Sequence, residues 1–107
     1  MSVRWPMTLT AALLACAGMP AAGSAKEFTV SLDAMSFGRI PTDAKVGDSI
    51  VWVNRDTVQH SATAKDGSFD VRLQPGQKGS SVLKKAGAVP IYCIYHPMMR
   101  GMLKVAG

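Results

Sequence analysis

An all-β fold, a two-sheet antiparallel sandwich, is what this sequence predicts, and three observations predict it. Short segments of alternating or continuous apolar character recur along the chain from Lys26 onward. Turn-forming residues separate them at close intervals: Gly38, Pro41, Gly47-Asp48, Asn54-Arg55-Asp56, Asp66-Gly67, Pro75-Gly76 and Gly87. No stretch after residue 25 sustains the 3.6-residue period of a helix. With so many short strands in so few positions, two packed sheets are the arrangement that buries their apolar faces.

Each strand has its own justification. In KEFTVSLD, Phe28, Val30 and Leu32 alternate with polar neighbours, the period-2 pattern of a strand with one face covered. SIVWV, Ser49 to Val53, is a continuous apolar run of the buried-strand type, with Trp52 as a core residue. FDVRL repeats the alternation through Phe69, Val71 and Leu73. VPIYC forms a strand ending at Cys93, and MLKVA, Met102 to Ala106, returns as the last strand. The sequence shows no internal repeat, linker or low-complexity segment.

The amino end reads differently. Arg4 precedes an apolar stretch from about Met7 to Ala17 and then a run of small residues to Ala25, the layout of a secretory signal. The apolar run is shorter than the roughly 18 residues that span a bilayer. Gly23 and Ala25 suit a cut that starts the mature chain at Lys26, giving residues 1–25 as leader and 26–107 as one domain exported to the periplasm. A rival reading takes Leu13 to Cys16 as a lipid-attachment box, although Leu14 fits it poorly. After the cut, 11 basic and 7 acidic side chains remain. They are scattered, with no aromatic-interleaved basic patch, which argues against nucleic-acid binding.

Removing the leader leaves Cys93 as the sole thiol, so no internal disulfide is available to it. An unpaired cysteine in an oxidising compartment is buried and inert, paired between chains, or held by a metal. Cys93, His96 and Met99 fall at three-residue intervals on the loop between the last two strands. The other histidine, His60, follows the SIVWVNRD strand and turn and can reach the same end of the sandwich. A thiolate, two imidazoles and a weak thioether form the trigonal, long-axial site that serves both Cu(I) and Cu(II). Singly, each residue has a plainer reading: Cys93 as a small buried hydrophobe, His60 as a solvated turn residue, Met98, Met99 and Met102 as core filler. Their joint spacing is what favours copper. Two histidines are too few for a copper oxidase or nitrite reductase, and a methionine is a poor fourth ligand for zinc, so no enzyme is expected.

From about Met35 to its end the chain resembles the cupredoxins, and among them the amicyanin branch more than the plastocyanins and pseudoazurins. MSFGRIPTDAKVGDSIVWVNRD carries the KVGD turn, the Trp-bearing strand and the Asn-Arg that follows it, and CIYHPMMRG carries the Cys, His-Pro and Met-Arg-Gly spacing. The resemblance implies a Greek-key β-sandwich holding one type 1 copper ion. His60, Cys93 and His96 would be its equatorial ligands and Met99 its axial one, with Met102 the weaker candidate. It further implies a monomeric electron carrier working between a dehydrogenase donor and a c-type cytochrome acceptor; the extra methionines Met98 and Met102 make copper delivery or storage the alternative, since thioethers select Cu(I). His96 would be the electron portal, ringed by Pro97, Met98, Met35 and Phe37, with Arg100 beside it. Asn54, by residue type alone a turn cap after a strand, would by the resemblance tie the His60 loop to the ligand loop. The chain departs from the branch at Val89 and Ile91, where tyrosines are usual, at the intervening Pro90, at Tyr95 in place of proline, and in a shorter segment from His60 to Cys93.

Overall fold

The computed structural model describes residues 24–107, so the leader through Gly23 and the alternative attachment site at Cys16 lie outside the described residues. Nine strands form two sheets: β1 (Glu27–Asp33), β2 (Ser36–Phe37), β3 (Ala44–Lys45), β4 (Ser49–Asn54), β5 (His60–Ala64), β6 (Asp70–Leu73), β7 (Lys78–Val82), β8 (Gly87–Tyr92) and β9 (Arg100–Ala106). One sheet has the order β2-β1-β4-β7 and the other β3-β9-β8-β5-β6. The two-sheet sandwich is as expected, and no helix occurs among the described residues.

The antiparallel expectation needs one correction. β1 pairs with β4 in parallel, as β3 does with β9. Parallel neighbours need a crossover of a dozen or more residues rather than a tight hairpin. The chain from Ala34 to Asp48 is such a crossover, because it leaves β1, lays β3 against the opposite sheet and returns as β4. The remaining pairings are antiparallel.

Alternation places the core. Val30 and Leu32 of β1 and Ile50 and Trp52 of β4 face Ala62, Ala64, Leu73, Ile91, Leu103 and Val105 of the other sheet, all buried. The SIVWV run is less uniform than its sequence suggests: Ile50, Trp52 and Asn54 are fully covered, and Ser49, Val51 and Val53 are half-buried on the other face. Trp52 lies between Phe37 and Phe69, with ring centroids 6.1 and 5.8 Å away, and its indole N–H donates to Ser81 Oγ at 2.9 Å. A buried indole with its one donor satisfied stabilises without a polar penalty.

β5 is buried along its whole length, since it lies between β6 and β8 with both faces covered. The His60 end of β5 and the Cys93 end of β8 therefore meet at one edge of the sandwich. β9 begins where the loop from Cys93 to Met99 ends. A Cβ at Gly101 would meet Ile40 Cδ1 and crowd Ile91, so a larger residue at the start of β9 would require the Ile40 side chain to turn away.

Candidate metal centre

His60 is the first residue of β5 and Cys93 the residue after β8; both are wholly buried. His60 Nδ1 stands 3.7 Å from Cys93 Sγ. The opposite ring nitrogen, Nε2, lies 2.9 Å from Asp56 Oδ2. A carboxylate can only accept, so Nε2 carries the ring proton and the Nδ1 lone pair faces the sulfur. Asp56 in turn is held well down, to about 2, first by the bond from His60 and then by the Met35 and Thr57 amides. It stays an acceptor throughout the neutral range.

The 3.7 Å separation is informative. A thiolate at about 2.3 Å and an imidazole at about 2.0 Å from a shared first-row divalent ion, set at a trigonal angle, stand about 3.7 Å apart. An ion held between the two donor atoms would fit this spacing, which is also that of a direct S–H···N contact. The sulfur also accepts the Ser61 amide N–H at 3.3 Å.

The loop from Cys93 to Met99 is braced through its backbone. Cys93 N donates to Met99 O at 3.0 Å, Met99 N to His96 O at 2.8 Å, and His96 N to Cys93 O at 3.3 Å. These bonds close residues 93 to 99 into a compact turn. The His96 ring stands edge-on to that of His60, centroids 5.1 Å apart, and is half-buried. Met99 is 3% exposed, whereas Met102 lies on the outward face of β9 and is 46% exposed. Strand alternation explains the difference, because Leu103 and Val105 take the inward positions. Among the described residues no three His, Cys, Asp or Glu side chains stand ready to hold a metal. A full shell here needs the His96 ring and a methionine sulfur beside the His60–Cys93 pair.

Asn54 caps the turn after β4, as its residue type suggests, and does not make the link that the resemblance implies. Its amide donates to Val58 O at 2.9 Å and Leu73 O at 3.1 Å, and its carbonyl oxygen accepts from Asp56 N at 3.0 Å. It ties the His60 loop to the end of β6. The link to the ligand loop is made by Ser61 instead, whose Oγ accepts the Ile94 amide at 2.8 Å. Thr63 Oγ1 gives its single proton to Asp70 Oδ1 at 2.9 Å, so the 2.9 Å contact between Ser61 Oγ and Thr63 Oγ1 must run from Ser61 to Thr63. The resulting relay is ordered from the Ile94 amide through Ser61 and Thr63 to a carboxylate. Sequence reading missed both Asp56 and Ser61. The one available sign was their place, four residues before and one after His60. Ser61→Ala keeps the backbone donor to Cys93 but frees Ile94, and should weaken copper binding on the order of tenfold. Competition against a copper chelator measures this.

Around His96, Pro97 is exposed and Met98 is 90% exposed. Met35 lies at the tip of the β1–β2 hairpin, where Ala34 and Met35 both have left-handed backbones, φ 49° and 61°. Two such non-glycine residues in sequence are unfavourable. The turn is held by Asp33 Oδ1 accepting Ala34 N at 2.9 Å and Asp56 Oδ2 accepting Met35 N at 3.1 Å. One carboxylate thus fixes both His60 and the hairpin tip. Tyr95, in place of proline, extends to Gln59, whose side-chain amide donates to the phenol oxygen at 2.8 Å.

No protein-family model matches the chain. It is 35% identical over 92 residues to the methylamine utilization protein MauL of Methylorubrum extorquens, covering 82% of this chain and 79% of that one. It is 28% identical over 82 residues to amicyanin of Paracoccus denitrificans, across 71% of this chain and 63% of amicyanin's length. Among solved structures, a methionine-to-alanine variant of amicyanin in its Cu(I) form superposes with a TM-score of 0.66 at 25% identity, over 74% of this chain and 81% of that one. A purple cupredoxin from Nitrosopumilus maritimus, at 21% identity and a TM-score of 0.65 over 74% and 99%, shares the fold. With a relative of this identity and coverage, and the sandwich that goes with it, the chain belongs to the amicyanin-like cupredoxins.

Proposed function

We propose that the protein is a periplasmic carrier of single electrons, holding one copper ion through His60 Nδ1, Cys93 Sγ, the His96 ring and the Met99 thioether. The observation that carries this is the 3.7 Å approach of His60 Nδ1 to Cys93 Sγ, with the other ring nitrogen already committed to Asp56. Copper supplies a one-electron couple between Cu(II) and Cu(I). The chain's own residues do the rest. Asp56 fixes the His60 ring, and Ser61 N–H steadies the thiolate. The backbone turn from Cys93 to Met99 keeps the loop ligands from moving apart between oxidation states. As an amicyanin-like cupredoxin the protein is not an enzyme.

The half-buried His96, followed by exposed Pro97 and Met98, offers a small apolar contact for brief docking. By resemblance the donor is a dehydrogenase and the acceptor a c-type cytochrome. The naming of one relative for methylamine utilization supports an amine-oxidising dehydrogenase in the first role. Among the described residues no helix is long and apolar enough to cross a membrane. A second reading, copper delivery or storage, draws on the nearly bare Met98 thioether beside His96, since thioethers select Cu(I). Repeated reduction and reoxidation in the presence of a Cu(I) chelator separates the two. A carrier keeps its copper and its redox wave; a delivery protein surrenders the metal in the first reduced interval.

A further inference from the structure

Asp48 is 5% exposed, and both its oxygens point at backbone donors: Oδ1 accepts Lys26 N at 2.8 Å and Oδ2 accepts Lys45 N at 2.8 Å. These two amides, Lys26 first, hold its carboxyl below the usual carboxylate range. The carboxylate has no salt-bridge partner among the described residues. The Lys26 and Lys45 side-chain charges act on it only through space, so this nearly buried carboxylate lacks a cation in direct contact.

We infer that hydrolysis of the Ala25–Lys26 bond supplies it, turning the Lys26 nitrogen into an ammonium that pairs with Asp48 and locks the processed chain. The step needs water and an endopeptidase that accepts small residues. Hydroxide adds to the Ala25 carbonyl carbon, the C–N bond breaks, and the freed Lys26 amine takes a proton. Ser24, Ala25 and Lys26 are exposed and precede β1, so the bond is open to attack. Cutting it need not displace the nitrogen. Lys26 O accepts Ser49 N at 2.9 Å, and Glu27 is in register with Ser49 of β4, which anchors the residue from its carboxyl side. The cleft at this point, about 200 Å³ and lined by Ala25, Lys26, Asp43, Lys45 and Asp48 among others, opens to water once residues 24 and 25 leave. Water can then satisfy the remaining ammonium protons.

The pairing has a pH signature. A free α-amino group titrates near about 7.7–8.0. A facing carboxylate raises that value in the folded state. Its contribution to stability is therefore complete below about pH 8 and is lost as pH rises through the raised value. The charged groups lining the cleft around the new terminus are Asp43, Lys45 and Asp48, with the Lys26 side chain itself. The lysine side chains are common to all the forms compared, so the difference between forms isolates the terminus.

This rests on the export proposed above, which intact mass tests separately. The full precursor, expressed with its leader in an exporting bacterial host, should yield a chain beginning at Lys26. Its thermal unfolding would be followed from about pH 6 to about pH 10 beside a cytosolic form beginning at Ser24 and a processed Asp48→Asn form. At pH 7 the Lys26 form should melt about 4 °C or more above the Ser24 form. The gap should close toward pH 10, and Asp48→Asn should show no alkaline loss of its own. An exported chain beginning elsewhere overturns the site. A Lys26 terminus with a pH-independent gap, or with none, overturns the ion pair while leaving export standing.

Discussion

Cys93→Ser should abolish the intense visible copper–thiolate absorption of the loaded protein while leaving the fold in place. Only the sulfur at this position provides a soft anionic donor. Cys93 is fully buried, so the replacement hydroxyl must find partners. They are at hand. His60 Nδ1 can accept from the new hydroxyl, and the Ser61 amide can donate to it. With both contacts met, the unsatisfied-group penalty of about 1–3 kcal/mol should be largely avoided. A drop in Tm no greater than about 4–8 °C is expected. Circular dichroism and an absorption titration with Cu(II) measure both parts. A folded serine variant that still turns deep blue would remove Cys93 from the site.

Met99→Gln should lower the midpoint potential markedly, and Met102→Gln should scarcely move it. An amide oxygen is a harder donor than a thioether and favours Cu(II) over Cu(I). Each tenfold change in the ratio of the two affinities moves a one-electron potential by about 59 mV, and the Met99 variant should shift by at least that much. Met102 occupies the outward face of β9, opposite Pro90 in the pairing and 46% exposed, so glutamine there meets solvent. Voltammetry of the two variants side by side decides the matter. A large drop in the Met102 variant alone would show that the wrong methionine had been assigned.

The strands legible in the sequence are those whose apolar residues alternate across a half-covered sheet. Val30 and Leu32, then Leu103 and Val105, announce β1 and β9 plainly. β5 was not legible, because HSATA is covered on both faces and carries small or polar residues with no period to find. β7, with the sequence KGSSV, hides for a related reason: only Ser81 is fully buried, and its task is to receive the Trp52 indole proton. The parallel pairing of β1 with β4 was equally invisible, since turn residues show where strands stop and not which strand they rejoin. At the candidate site, residue type and spacing singled out His60, Cys93, His96 and Met99 because cysteine and histidine are so scarce here. Spacing could not reveal the supports. Asp56 and Ser61 are ordinary residues whose roles arise from distances of 2.9 and 3.3 Å that only the folded chain creates.

The measurement closest to the central claim is a titration of the purified, processed protein with Cu(II), followed by visible absorption and electron paramagnetic resonance. A single thiolate, two imidazoles and a weak thioether should take one equivalent of copper. The protein should turn intensely blue, with absorbance rising linearly to that equivalence point and then breaking, and with the compressed copper hyperfine splitting of a highly covalent copper–sulfur bond. A colourless complex with ordinary hyperfine splitting, or binding that persists undiminished in a His60→Ala, Cys93→Ser double variant, would contradict the assignment of this edge of the sandwich as a type 1 copper centre.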